Sequence, residues 1–397
     1  MKPLRIFDQD KSGARGQSCC APSRSRTGLA DDTAARHQAA QAVKVIMGEK
    51  PRWQTGIMNS ASGLVPIVSG EWSRADRRGQ IRARMGSFRM DYIVKPGLYA
   101  IGRPGASSEI FVSANYKLSF DILRRELAGI SGWILVLDTK GVNVWCAAGK
   151  GTFGTDELVK RVLAVKLAET VSHRRLIVPQ LGATGVRAAE VKKRTGFTVC
   201  FGPVEASDIK EYLAAGRHAT PAMRTVRFGM ARRLILTPIE LNQAMRKFPL
   251  AALVVLAIFG LQPSGILFYN AWYEGWSFLA LALAALLAGS FITPVLLPYI
   301  PFRSFSVKGL VTGAAAVVPL VLLTPLGGPS WFLKASEMTL FPLLSSYLAL
   351  QFTGATTFTT ISGVKRELKV WVPIYIAGLA VSAVLIVLHK IQSWGLL

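Results

Sequence analysis

The sequence predicts two parts of different class: an α/β front whose largely parallel sheet is covered on both faces, and an all-α transmembrane domain of five helices behind it. Three observations carry this reading. Strand-like and helix-like stretches alternate from Leu98 to about residue 214, the pattern of strands joined by crossover helices. Five apolar stretches follow from about residue 248, each close to the length of helix that a bilayer core needs. Charge divides at the same place, since residues 248–397 hold only seven of the 47 Lys and Arg and three of the 23 Asp and Glu.

Residues 1–50 are rich in Arg, Ser, Ala and Gln without an apolar period, which predicts a flexible basic head with one short helix at 33–48. Order begins near Trp53, and residues 51–216 form the α/β domain. Strands are expected at 98–102, 109–114, 133–138, 174–178 and 197–201, with helices at 118–128, 156–169, 185–194 and 207–214. Ser207 and Gly216 supply start and stop signals for the last helix. Strand-helix alternation of this kind is Rossmann-like. Residues 217–247, with Pro221 and Pro238, read as a linker and an amphipathic lead-in. The membrane domain, 248–397, is divided into spans at about 248–269, 276–299, 309–325, 338–354 and 370–388.

Lys and Arg in short loops set orientation. Arg303 and Lys308 lie in one loop and Lys365, Arg366 and Lys369 in another, against Lys334 and Lys390 on the opposite side. The basic loops and the α/β domain are therefore expected in the cytoplasm, on a cytoplasmic (inner) membrane, with the C-terminus outside. The first 30 residues hold no apolar run of a secretory signal. Bounded as above, the spans contain no acidic or basic residue, which counts against an ion or proton path. A net charge of +24 suits an anionic lipid surface, and nothing resembles a nucleic-acid-binding module. The four cysteines, two of them adjacent, make no disulfide framework.

The candidate site is the run Asn143-Val144-Trp145-Cys146-Ala147-Ala148-Gly149-Lys150, directly after the strand-like Trp133-Ile134-Leu135-Val136-Leu137-Asp138. It presents one thiol on a short helical turn at the carboxyl end of a strand, where α/β folds bind ligands. A lone cysteine among apolar residues is often a small buried hydrophobe. Here Ala147, Ala148 and Gly149 offer a surface without bulk that a large flat partner can approach. Lys150 adds a cation four residues on. A phosphate loop is excluded by spacing, because it would need Gly at Val144 and a hydroxyl residue at Gly151.

This run resembles, letter for letter, the cap-helix motif Asn-(Val/Ile)-Trp-Cys-Ala-(Ala/Ser)-Gly-Lys of the mercury-methylating corrinoid protein family. Tyr99-Ala100-Ile101-Gly102, Ser113-Ala114-Asn115-Tyr116-Lys117-Leu118-Ser119-Phe120-Asp121, Gly151-Thr152-Phe153-Gly154-Thr155, Val178-Pro179-Gln180-Leu181-Gly182-Ala183 and Phe352-Thr353-Gly354-Ala355-Thr356-Thr357-Phe358-Thr359 look like the same family. The resemblance covers about residues 90–397. The α/β part is also similar, more distantly, to the cobalamin-binding domain of the corrinoid iron–sulfur protein large subunit, a relative without the cap cysteine or membrane region.

The resemblance implies a methyltransferase that binds cobalamin, a cobalt corrinoid, and passes a methyl group to Hg(II). Cys146 would be the catalytic residue, its thiolate the lower axial ligand of the cobalt. Asn143, Val144, Trp145, Ala147, Ala148, Gly149, Lys150, Gly151 and Thr152 would shape the cofactor's cap, with Trp145 anchored in the core. An anionic ligand stabilises oxidised cobalt better than a neutral imidazole does. It also makes reduction harder, so an electron donor of low potential is implied, a ferredoxin-like protein with two [4Fe–4S] clusters. Methyl would come from a folate- or pterin-linked donor. The motif Asp-x-His-x-x-Gly of a histidine lower ligand is absent from the sequence, and His173 and His218 read as surface or capping residues. Cys200 reads as an inert buried thiol. Cys19 and Cys20 are candidates for Hg(II) capture, with an incidental pair as the alternative. Two rival functions are a corrinoid methyl carrier of one-carbon, acetyl-CoA-pathway metabolism and a membrane transporter or sensor with a cytoplasmic ligand domain.

Overall fold

Apolar runs with no polar face, Ile110–Ala114 and Gly132–Leu137, form the buried centre of a seven-stranded sheet. The computed structural model describes residues 51–397 apart from 62, 357 and 360. It divides into an α/β unit, residues 51–79 and 92–225, and a helical unit, residues 80–91 and 226–397. The head at 1–50 and its expected helix lie outside the described residues.

The strands are β1 (Gln54–Ser60), β2 (Gly63–Val68), β3 (Gly97–Ile101), β4 (Ile110–Ala114), β5 (Gly132–Leu137), β6 (Arg175–Val178) and β7 (Thr198–Phe201), in spatial order β1-β2-β3-β5-β4-β6-β7. The sheet is mixed. β5, β4, β6 and β7 pair in parallel, whereas β1 with β2 and β3 with β5 are antiparallel. β3 reaches β4 through residues 102–109 with no helix between them, too short a link for a parallel crossover. The hairpin β1–β2 and the helix α1 (Arg74–Met85) have no counterpart in the expected elements. β1 alternates between half-buried and exposed positions, and α1 is dominated by charged residues, so neither shows a strong apolar period.

The remaining helices of this unit are α2 (Lys117–Glu126), α3 (Val144–Lys150), α4 (Thr155–Ala164), α5 (Leu167–Thr170), α6 (Ala188–Thr195) and α7 (Ile209–Ala214). Because side chains alternate across a strand, β5 feeds two cores. Trp133, Leu135 and Leu137 pack with Phe153, Leu158, Val162 and Phe197 on one face. Ile134 and Val136 pack with Phe120, Leu123, Ile209 and Tyr212 on the other.

Beside the second core lies a buried ion cluster. Lys117 Nζ is 3.0 Å from Asp76 and 2.6 Å from Asp121, and Arg124 reaches the same two carboxylates at 2.9 and 2.8 Å. Arg124, fully buried, also donates to the carbonyls of Ser69 and Glu71, tying the β2–α1 connection onto α2. Burial opposes the ionised form of Asp76, but the charge of Lys117 and hydrogen bonds from Ser73 and Lys117 outweigh it and lower the carboxyl from 3.8 to about 2. A carboxylate with a depressed folded pKa stabilises the fold above its unfolded value, and that contribution vanishes as pH falls through the folded one. Asp76 is accordingly expected to contribute about 2 kcal/mol at neutral pH that is lost between about pH 4 and pH 2. Urea midpoints over this range check it: Asp76→Asn should flatten the acid limb, and an unchanged limb would refute the assignment.

The helical unit contains α8 (Met230–Gly260), a short hairpin of β8 (Leu261–Gln262) and β9 (Gly265–Ile266), then α9 (Phe268–Leu287), a π-helical segment (Ala288–Ile292), α10 (Thr293–Leu296), α11 (Phe305–Leu323), α12 (Trp331–Gln351) and α13 (Ile361–Ser393). Among the described residues, four helical runs are long and apolar enough to cross a membrane: Met230–Gly260, Phe268–Leu296, Phe305–Leu323 and Ser362–Ser393. Of the five expected spans, the one in α12 does not meet this measure. That helix carries buried Ser336, Glu337, Ser345 and Ser346 on its packed side, which lowers its hydropathy. Ser345 and Ser346 donate to carbonyls of α11, and a Cβ at Gly309 or Gly313 would collide with Ser345. Small residues at such seams let backbones approach closely. α8 runs unbroken through residue 247, where lead-in and first span were divided, with Pro238 and Pro249 inside.

Candidate functional site

The carboxyl end of β5 turns into α3 through residues 138–143, and one side chain from β4's end organises that turn. Asn115 Oδ1 accepts from the Thr139 N–H (3.0 Å), the Thr139 hydroxyl (2.8 Å) and the Gly141 N–H (3.0 Å). The Thr139 hydroxyl also lies 2.6 Å from the Val142 carbonyl. Lys140 and Gly141 both adopt positive φ, 57° and 71°, the left-handed conformation that a tight reversal uses. Glu157 on α4 accepts from the Asp138 N–H at 2.8 Å. Burial opposes ionisation of Asp138, but hydrogen bonds and charge from Lys140 hold its carboxyl below the usual range. Asn115 is 4% exposed; it stands in one of the motif stretches, but its sequence context gave no sign of this role.

Asn143 caps α3, accepting from the Cys146 N–H at 2.9 Å. Gly151, at φ 80°, ends the helix in the left-handed region, as helix C-termini commonly do. The Cys146 side chain is half-buried. Gly149 and Lys150, three and four residues on, are exposed on the same side of the helix, and a Cβ at Gly149 would meet nothing within 4 Å. Beside Cys146 the surface is therefore open and without bulk.

Two expectations change. Ala147 and Ala148 are buried and contribute no surface; their smallness lets residues 182–185 press against the cap. A Cβ at Gly185 would lie 2.2 Å from the Phe153 carbonyl and 3.1 Å from Ala148 Cα, and one at Gly182 would strike the Phe153 ring. Trp145 is not anchored in the core but 39% exposed. It lines a cavity of about 300 Å³ with Asn143, Val144, Val112, Ser113 and Pro179. The cavity sits at the ends of β4 and β6, where the chain order of the parallel strands reverses, the usual ligand crevice of such sheets. Thr152 donates to the Ala147 carbonyl at 3.4 Å and faces the helix, not the cavity.

His173 is held between the Ser108 carbonyl and the Arg175 N–H, a structural use, and His218 is exposed. Cys200 is half-buried, not fully buried, on the edge strand β7. Cys19 and Cys20 lie outside the described residues. Among the described residues, no three His, Cys, Asp or Glu are grouped to hold a metal ion.

Residues 88–213 match a known family. Its description is CO dehydrogenase/acetyl-CoA synthase delta subunit, and the matched segment contains β3 to β7 with the cap. A relative named acetyl-CoA decarbonylase/synthase complex subunit gamma, from Archaeoglobus fulgidus, is 35% identical over 122 residues, 30% of this chain and 26% of that protein. The protein of the same name from Methanopyrus kandleri is 35% identical over 123 residues, again 30% and 26% of the two chains. The corrinoid/iron-sulfur protein large subunit of Moorella thermoacetica is 30% identical over 124 residues, 31% of this chain and 27% of that one. The chain spans about a quarter of the length of the curated relatives it matches.

Asn115→Ala strips the Thr139 and Gly141 N–H groups of their acceptor, while the Thr139 hydroxyl keeps the Val142 carbonyl, and leaving two such donors unpaired is expected to cost about 2 kcal/mol. Thermal unfolding should show it, and an unshifted midpoint would refute the role of Asn115 in holding the turn.

Proposed function

We propose that the α/β unit binds a corrinoid against the carboxyl ends of its parallel strands, with the Cys146 thiolate as lower axial cobalt ligand, and that the chain transfers a methyl group to Hg(II). The observation that carries this reading is Cys146 itself, half-exposed on a cap whose start is held by Asn143 and next to an open glycine surface, while Asn143, Val144 and Trp145 of the same cap, but not Cys146, line the crevice. A single thiolate suits a metal whose other ligands come with it, as a macrocycle's do. The chemistry that a bound corrinoid would supply is a cobalt-held methyl group for transfer to Hg(II).

The chain's own residues prepare that chemistry. Asn143 fixes the first turn of α3 and so the direction of Cys146. Asn115 holds the turn before it. Gly149 leaves room for a flat ring, and Trp145 with the cavity wall offers an apolar berth for an appended group. The proposal includes a ferredoxin-like electron donor and a folate- or pterin-linked methyl source. It also includes a bilayer position for the apolar helices, with α12 shielded among them as a fifth span, the basic loops inside and the C-terminus outside.

The named relatives support equally well a second reading, a membrane-anchored methyl carrier of one-carbon metabolism. The visible spectrum of the purified full chain loaded with cobalamin tests the shared part: binding should give a corrinoid absorption that shifts in Cys146→Ala. An identical spectrum in that variant would refute the thiolate ligand. Methyl transfer to Hg(II), set against transfer to an acetyl-CoA synthase acceptor, separates the two readings.

A further inference from the structure

Where α11 and α13 begin, one carboxylate joins the two helices. Glu367 of α13 accepts from the Ser304 hydroxyl (3.1 Å), the N–H groups of Phe305 and Ser306 (3.1 Å each) and the Ser306 hydroxyl (3.2 Å). It thereby fills the positive N-terminus of α11 and brings Arg303, one residue before Ser304, to the first turns of α13. The start of α8 reaches the same end of the helical unit. Arg233 donates to the Phe228 and Val295 carbonyls, and the Phe228 ring meets Phe358 edge-on at 5.7 Å. Phe358 comes from the last of the motif stretches, whose Phe352 is buried with Leu297, Phe305 and Leu350.

Cations are in excess at this end. Residues 297–308 and 350–369 contain Arg303, Lys308, Lys365, Arg366 and Lys369 against one acid, Glu367. Glu367 is engaged with α11, and Lys308 is buried on the Leu297 carbonyl. The other four are exposed and, among the described residues, form no ion pair. Lys365 and Lys369, four residues apart, share one face of α13, where like charges repel. An anion from outside the chain would relieve them.

Two observations place these cations at the surface of a bilayer. Directly after Lys369 comes the charge-free stretch 370–388, about 28 Å of helix, which matches the thickness of a hydrocarbon core. Exposed apolar side chains also stand among the charges: Tyr299 (67% exposed) and Phe302 beside Arg303, and Leu368 and Val370 on either side of Lys369. Aromatic rings favour the headgroup level, and long cationic side chains there lay their stems on apolar surface with the charge toward water.

We infer that Arg303, Lys365, Arg366 and Lys369 form a binding site for the phosphate of an anionic membrane phospholipid, with Tyr299 and Phe302 against its glycerol and upper acyl region. Lys and Arg near a membrane surface draw anionic lipid, whereas a zwitterionic headgroup carries its own ammonium and leaves the excess charge unmatched. Arg adds a planar fork that fits phosphate oxygens. The site rests on the proposed bilayer position of the helices and is independent of the corrinoid chemistry.

The test uses the full chain in bilayers with spin-labelled phosphatidylglycerol or phosphatidylcholine as the probe, electron spin resonance reporting the fraction held at the protein. Phosphatidylglycerol should be held at least about fivefold more strongly, the worth of one cation near a membrane surface. That preference should shrink in a variant carrying Arg303→Gln, Lys365→Gln and Lys369→Gln. It should persist in Lys334→Gln, which removes a cation from the first turn of α12 instead. If the triple variant fails to fold, Lys369→Gln alone and a salt titration of the unsubstituted chain serve, each of which should lower the preference. Equal retention of the two lipids, a preference untouched by these substitutions and by salt, or displacement of phosphatidylglycerol by millimolar inorganic phosphate would overturn the inference. A chain that cannot be reconstituted into a bilayer would overturn the bilayer position and this site with it.

Discussion

Cys146→Ala is expected to reduce methyl transfer to Hg(II) to background while leaving thermal unfolding within about 0.5 kcal/mol of the unsubstituted chain, the range of surface changes away from packed or paired groups. The cap is held by backbone and by Asn143, whose acceptor serves the Cys146 N–H and not its sulfur, so the sulfur can go without loosening the helix. Cys146→His keeps a possible ligand but a longer and neutral one, and its rate should stay far below that of the cysteine. The measurement is methylmercury formed by reduced, methyl-loaded protein, read beside the corrinoid spectrum. Undiminished rates in the alanine variant would sink the axial-thiolate reading whatever the spectrum shows.

Arg124→Met should be the most damaging single change to the α/β unit, costing about 3–5 kcal/mol, the usual penalty for breaking a buried ion pair from one side. It would leave Asp76 and Asp121 with Lys117 as their remaining cation and strip the Ser69 and Glu71 carbonyls of a donor. Removal of both signs is gentler, since a buried group without a partner costs more than an apolar pair. A double variant that also carries Asp121→Leu should therefore recover part of the loss. Urea unfolding gives both values, and a loss below about 1 kcal/mol for Arg124→Met would show the cluster to be well solvated.

Much of the architecture was legible because it is written in short-range signals. The strand core Gly132–Leu137 is apolar throughout and Ile110–Ala114 is so but for Ser113, and Gly151 and Gly196 stop helices at the left-handed positions. The thiol-bearing cap was legible for the same reason: its asparagine, small residues and terminal glycine act within one helical turn. The β1–β2 hairpin was not, because its half-exposed strands are defined by their partners and not by a strong pattern of their own.

The succession of strands and helices from Gly97 to Ala214, the place of the cap and the apolar character of the last third of the chain could thus be read from the sequence, since all are properties of neighbours a few residues apart. The tertiary structure decided what each polar or bulky side chain meets. It turned Trp145 outward to the crevice, buried Ala147 and Ala148 under the Gly182–Gly185 turn, gave Asn115 three donors 24 to 26 residues away, and brought Glu274 to His389 across the bundle. Local propensity cannot encode such pairings, because a buried polar atom is satisfied by whichever group the whole fold carries to it.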